Sequence, residues 1–132
     1  LYNKINNIQK IEGVGLMTVV IIIAETNGFE MIENAKQLTS YAGLDVVHNQ
    51  TGYTVHKYKI SKKGNSFLRH ALYMPALCAS RFNSKLKNIY INLAIKKNVK
   101  QVAVVALMRK LLSLIYTLWK NNAEYVPNYK PI

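Results

Sequence analysis

Four hydroxyl side chains, Thr51, Thr54, Ser61 and Ser66, fall inside one strongly basic stretch of the chain. Lys57, Lys59, Lys62, Lys63 and Arg69 stand among them, with His56, Tyr53 and Tyr58 interleaved. A hydroxyl attacks a phosphodiester only with a base at hand or strong electrostatic preparation. Lysines and an arginine are the groups that neutralise charge developing on a phosphate, and His56 can accept a proton. The aromatic rings can stack on unpaired bases. Taken singly, each hydroxyl reads as a cap or turn residue before it reads as a nucleophile, and the stretch as a whole suits a solvated basic loop.

A second pattern precedes it. "IEGVG", residues 11–15, runs into the apolar "LMTVVIIIAET". Two glycines let a turn present consecutive backbone N–H groups at a helix N-terminus, where they and the helix dipole hold one phosphate without reading sequence. Gly13 and Gly15 are therefore candidate phosphate contacts, and the stretch is similar to a helix-hairpin-helix element. An ordinary tight turn between two core helices needs the same residues.

Other chemistry is poorly supplied. Asp45 is the only aspartate, and the five glutamates are scattered, whereas two-metal phosphoryl transfer needs converging carboxylates. His48, His56 and His70 lack metal-ligand spacing, and one cysteine makes no zinc site. No glycine-rich nucleotide loop is present, because "SKKGNS" lacks the upstream glycine. A metal site within this chain is not expected.

The elements that must position these residues can be read from pattern and punctuation. The chain has 132 residues, half of them hydrophobic, which suits a single domain over 1–132 with a modest core. Eighteen Lys plus Arg against 6 Asp plus Glu give a formal charge of +12, and no acidic residue occurs from Val46 to Ala123. A polyanionic partner, nucleic acid or an anionic surface, is favoured. The lone Cys78, in an apolar setting, excludes an internal disulfide and fits a reducing, cytoplasmic compartment. No signal peptide is evident, and a start at Leu1 suggests a fragment. The apolar stretches Leu16–Ala24 and Leu111–Trp119 are short for a bilayer span, so no membrane partner is expected.

A mainly α fold follows. Residues 1–10 and 16–26 are predicted helical, with Asn27-Gly28 as the stop after a buried second helix. Asn34 is the predicted N-cap, and Gly43 the C′ residue, of a third helix. Residues 11–43 form the helix-hairpin-helix-like part. Residues 45–60, rich in β-branched and aromatic types, are predicted as two short extended segments, a β-ribbon, or an irregular basic loop. Residues 65–120 then carry three longer helices. The first is expected to place Phe67, Leu68, Ala71, Leu72, Ala76, Leu77 and Cys78 in the core and to kink at Pro75. Asn83 or Ser84 caps the second. In the third, Val102, Val105, Met108, Leu112, Ile115 and Trp119 recur at helical spacing. The tail with Pro127 and Pro131 should be extended.

Taken in order, "IEGVGLMTVVIIIAE", "KQLTSYAGL", "NQTGYTV", "ISKKGNSFLRHALYMPAL" and a basic helical tail resemble the C-terminal domain of the IS-one-ten and IS-eleven-eleven type insertion-sequence transposases. The likeness runs from about Ile11 to Trp119. It implies DNA recombination during transposition of a mobile element. It further implies an N-terminal RuvC-like domain that binds Mg²⁺ through acidic residues, and a C-terminal serine that becomes joined to DNA. Full-length members work as homo-oligomers, and some use a guide RNA from the element's own end. On this reading the chain alone, without the metal-binding half, is inactive. The family serine stands in a Ser-Gly pair, which here reads Thr51-Gly52; under a second alignment the nucleophile is Ser61. Lys62, Lys63 and Arg69 match basic positions and would be phosphate ligands, with Gly64 and Asn65 shaping the turn. A non-catalytic nucleic-acid-binding module and a structural helical domain of incidental charge remain the alternatives.

Overall fold

A computed structural model describes residues 2–44, 46–48, 58–60, 64–97, 100–123 and 125. It comprises six helices, α1 (Tyr2–Gln9), α2 (Leu16–Thr26), α3 (Ala35–Tyr41), α4 (Ser66–Phe82), α5 (Ser84–Lys97) and α6 (Lys100–Asn121), and two short strands, β1 (Val46–His48) and β2 (Tyr58–Ile60). The fold is mainly α, as the sequence predicts. The strands pair antiparallel, with Val46 opposite Ile60, Val47 opposite Lys59 and His48 opposite Tyr58.

α6 is the central element and packs against α1, α3, α4 and α5. Leu107, Leu111, Leu112 and Ile115 on it are fully buried. By length and composition Gln101–Asn121 is apolar enough to cross a membrane, but half of that window is buried inside the fold. A core helix touched from several sides must be apolar over a wide arc. This width also corrects the predicted stripe. Met108, Leu112 and Ile115 are buried as expected, whereas Val102 is exposed and Leu118 and Val104 are buried in addition. Lys4 lies 5.0 Å from the centroid of the Trp119 ring, tying α1 to the end of α6.

α2 forms from a β-branched run that by propensity alone suits a strand. Helical spacing places Val19, Ile22 and Thr26 inward, while Met17 and Val20 remain exposed, so the helix is buried on one face only. It stops as predicted. Asn27 takes a left-handed conformation (φ 50°), and the Gly28 N–H donates to the Ile23 carbonyl at 2.9 Å. Phe29 is also left-handed (φ 61°), a conformation costly for a bulky residue. Its ring is buried edge-on against Tyr116, with centroids 5.3 Å apart, and that packing holds the turn in place.

Asn34 caps α3 by accepting from the Gln37 N–H at 2.8 Å. Asn34→Ala is expected to cost about 1 kcal/mol in urea unfolding, and a change within a few tenths would refute that role. In α4 the buried residues are Leu68, Leu72, Pro75, Ala76, Ala79 and Ser80. Phe67, expected in the core, is 66% exposed, because its position lies outside the arc that faces the neighbouring helices. α4 continues helical through Pro75, whose missing N–H leaves the Ala71 carbonyl without its helical donor. Asn83 caps α5, accepting from the Leu86 N–H at 3.1 Å.

Candidate nucleic-acid interface

Three helix ends meet at one corner. α2 brings Glu25 and α3 brings Tyr41, Ala42 and Gly43, while α4 begins there with Asn65 and Arg69. The Tyr41 hydroxyl donates to the Glu25 carbonyl at 2.7 Å. The Asn65 N–H donates to the Tyr41 carbonyl at 2.8 Å. Asn65 then works through both side-chain atoms. Its Oδ1 accepts from the Leu68 N–H at 3.0 Å and caps α4, while its Nδ2 donates to Glu25 Oε2 at 2.7 Å.

Two glycines make this contact close. Gly43 has φ +73°, and a Cβ there would strike the Arg69 guanidinium and stand 2.8 Å from the Gly64 nitrogen. A Cβ on Gly64 would collide with the Tyr41 carbonyl oxygen and the Gly43 nitrogen. The two backbones therefore cross where only glycine fits. Arg69, half-buried, donates from Nη1 to the Ala42 and Gly64 carbonyls, each at 3.2 Å. It thus holds the C-terminal end of α3 and the approach to α4 together, as a cation at a helix C-terminus does.

Leu44 and Gly64 adjoin this clasp, and between them in the chain lie the paired strands β1 and β2. Lys59 sits in β2 opposite Val47. Thr51, Lys57, Ser61, Lys62 and Lys63 lie outside the described residues. A hollow of about 580 Å³ opens beside the clasp, lined by Gln37, Ser40, Tyr41, Gly64 and Asn65 with Met31 and Ile32.

Gly13 and Gly15 are not part of this corner. They precede α2, whose other end carries Glu25, about 15 Å away at the helical rise per residue. Ile8, Ile11 and Val14 are buried and fix that turn, with the Ile11 N–H bonded to Ile8 and the Val14 N–H to Ile11, each at 3.1 Å. Gly13 (φ +93°) faces α4 so closely that a Cβ would lie 2.7 Å from Cys78 Cβ and 3.1 Å from the Pro75 oxygen. Helix packing alone therefore requires that glycine. Gly15 is exposed and has nothing near its missing Cβ. It caps α2 without a side-chain hydrogen bond. Within the same turn the Glu12 carboxylate accepts from Asn83 Nδ2 at 2.9 Å. Each of the two places thus has one carboxylate engaged by an asparagine amide, Glu12 by Asn83 at this turn and Glu25 by Asn65 at the corner.

Sequence reasoning missed Glu25, Tyr41 and the Glu12–Asn83 contact. No local pattern signals partners so far apart in the chain. Among the described residues no three His, Cys, Asp or Glu side chains converge. The carboxylates of Glu12 and Glu25 are engaged by Asn83 and Asn65. The described residues do not fit a Mg²⁺ site, and no chemical step is assigned to one in this chain.

A helical body whose α3 and α4 meet at Gly43 and Gly64 defines a class of domain, and comparison with known families gives that class its place. Residues 5–91 match the family model "Transposase IS116/IS110/IS902 family", and the chain belongs to that family. It is 31% identical over 128 residues to the pilin gene-inverting protein of Moraxella bovis, covering 95% of this chain and 39% of that protein. With the Moraxella lacunata pilin gene-inverting protein the identity is 33% over 118 residues, covering 87% and 36%. The transposase for insertion sequence element IS1111A of Coxiella burnetii is 26% identical over 121 residues, covering 89% and 33%. The chain thus spans well under half the length of the curated relatives it matches.

Proposed function

We propose that this chain is the DNA-binding and strand-transfer part of an insertion-sequence transposase. Thr51 supplies the attacking hydroxyl, with Ser61 as the second candidate. Lys57, Lys59, Lys62 and Lys63 neutralise the phosphodiester around it. Arg69 braces the base of the segment and orients any phosphate it meets through nitrogens other than Nη1. The metal-dependent cleavage chemistry belongs to a RuvC-like domain of the same protein, acting on DNA, with a guide RNA and in a homo-oligomer.

The observation that supports this reading is the clasp. Gly43, Gly64, Asn65 and Arg69 tie together the two ends of the segment that in sequence combines hydroxyls with lysines and has no acidic residue after Asp45. Covalent catalysis needs a nucleophile positioned by rigid elements, and the clasp supplies such an anchor at the two ends of the segment. Threonine carries the hydroxyl of serine with an added methyl, which crowds in-line attack and predicts slow adduct formation.

The test is covalent trapping. Full-length protein with Mg²⁺, element-end DNA and guide RNA should yield a protein–DNA adduct that maps to Thr51. Thr51→Ala should abolish it, and Thr51→Ser should accelerate it. An adduct mapping to Ser61 moves the nucleophile within the same proposal. No adduct, with DNA binding intact, would leave this copy a non-catalytic nucleic-acid-binding module.

A further inference from the structure

α3 separates two hollows. Gln37, Ser40 and Tyr41 face the one beside the clasp, while Ala35, Lys36 and Thr39 face another, of about 290 Å³, against α6. α6 lines that second trough with Ala106, Arg109, Lys110 and Ser113. Their spacing of three, four and seven residues puts all four on one stripe of the helix. Two small residues thus open the trough on α6 beside two cations, and Ala35 opens it on α3.

We infer that the trough between α3 and α6 is a second phosphodiester-backbone site, built from Lys36, Arg109, Lys110 and Ser113. Lys36 and Lys110 are exposed and Arg109 is half-buried. None of the three cations has a hydrogen-bond or ion-pair partner among the described residues. Neither α3 nor α6 carries an acidic residue. The carboxylate nearest in sequence is Glu33, before the α3 cap, which is exposed and uses its N–H to bond Gln37 Oε1. Three cations gathered in one hollow without a counter-charge among the described residues repel one another, and a bound polyanion relieves that repulsion.

The donors suit a phosphate. The Arg109 guanidinium offers a planar fork, the two lysines offer point charges, and the Ser113 hydroxyl has no partner among the described residues. The Thr39 hydroxyl is already spent on the Ala35 carbonyl at 2.9 Å and serves only as wall. Among the described residues no aromatic ring and no side-chain amide lines the trough. It therefore grips backbone and reads no base. The site does not require strand transfer, since a chain that never forms an adduct would still hold nucleic acid here.

Salt-dependent binding tests it, with a duplex DNA and a single-stranded RNA of equal length as separate probes. The chain is compared with Lys36→Gln/Arg109→Gln/Lys110→Gln and with a control, Lys85→Gln/Lys87→Gln/Lys96→Gln, which removes equal charge from exposed positions of α5. Each phosphate contact contributes about 0.9 to the log–log salt slope on duplex DNA and about 0.7 on single strands. The trough variant should lower the slope by about 2.7 on the duplex and about 2 on the single strand, and weaken binding at least tenfold at low salt, regardless of sequence. The control should do less than half of this. A drop on the duplex alone identifies DNA as the occupant, and a drop on the single strand alone identifies RNA. Equal losses for both variants, or an unchanged slope with native circular dichroism, overturn the inference. If the triple variant unfolds, Lys36→Gln/Lys110→Gln, at two exposed positions, decides with an expected drop of about 1 to 2.

Discussion

The Gly64→Ala chain is expected to lose about 3 kcal/mol of stability, the upper end of the usual cost of overpacking. The methyl group would meet the Tyr41 carbonyl and the Gly43 nitrogen, both backbone atoms. Side chains can rotate away from a clash, but these atoms are fixed by the end of α3 and by the Asn65–Tyr41 hydrogen bond of 2.8 Å. Relief must therefore come from parting the two segments, which also disturbs the Arg69 contacts to Ala42 and Gly64. Urea unfolding followed by helical circular dichroism measures the loss. Gly15→Ala is the matched control, since nothing lies near its missing Cβ, and a change of under about 1 kcal/mol is expected there. If Gly64→Ala and Gly15→Ala behaved alike, the backbone crossing would not exist in solution.

Asn83→Ala carries the other large effect. Asn83 is 2% exposed and serves three partners. Its Oδ1 caps α5 at the Leu86 N–H, and its Nδ2 donates to Glu12 Oε2 at 2.9 Å and to the Tyr125 hydroxyl at 2.7 Å. Loss of the cap costs about 1 kcal/mol, and a hydrogen bond to a charged group is worth about 1.5 to 3 kcal/mol. A total near 3 kcal/mol is expected. Asn83→Asp separates the two contributions. It keeps an oxygen for the cap but sets a carboxylate against that of Glu12, so it should be destabilised nearly as much. An aspartate variant as stable as the parent chain would show that the cap alone matters and that the Glu12 contact is idle.

What the sequence made legible was local. Asn34, Asn27-Gly28, Gly43 and Asn83 act where their types predict, because a cap or stop is settled within three or four residues. The existence and order of the helices were legible for the same reason, and family resemblance placed the chain among transposases. Which side of each helix meets a neighbour was legible only in part. Phe67 and Val102 are apolar and lie at helical spacing, yet both are exposed, because periodicity gives a face but not the arc that neighbours cover. Gly13 invites a phosphate reading from its turn alone. Only the fold reveals Cys78 and Pro75 against it. Arg69 likewise reads as a free phosphate ligand until the Ala42 and Gly64 carbonyls take its Nη1. The α3–α6 trough has no signature at all, since Lys36 and Arg109 are far apart in sequence.

The crossing of Gly43 and Gly64 has a consequence for how such a chain can diverge. Because Gly43 and Gly64 meet, the chain between Leu44 and Gly64 starts and ends at one point of the helical chassis, as a cartridge would. The entropy of closing a loop grows only with the logarithm of its length. Lengthening, shortening or exchanging the cartridge therefore costs the chassis little. A lineage can rewrite this segment, including the Thr51-Gly52 pair, while the helices keep their packing. Grafting the equivalent segment of a relative between Leu44 and Gly64 is the corresponding engineering route, with retention of the helical circular dichroism as its measure.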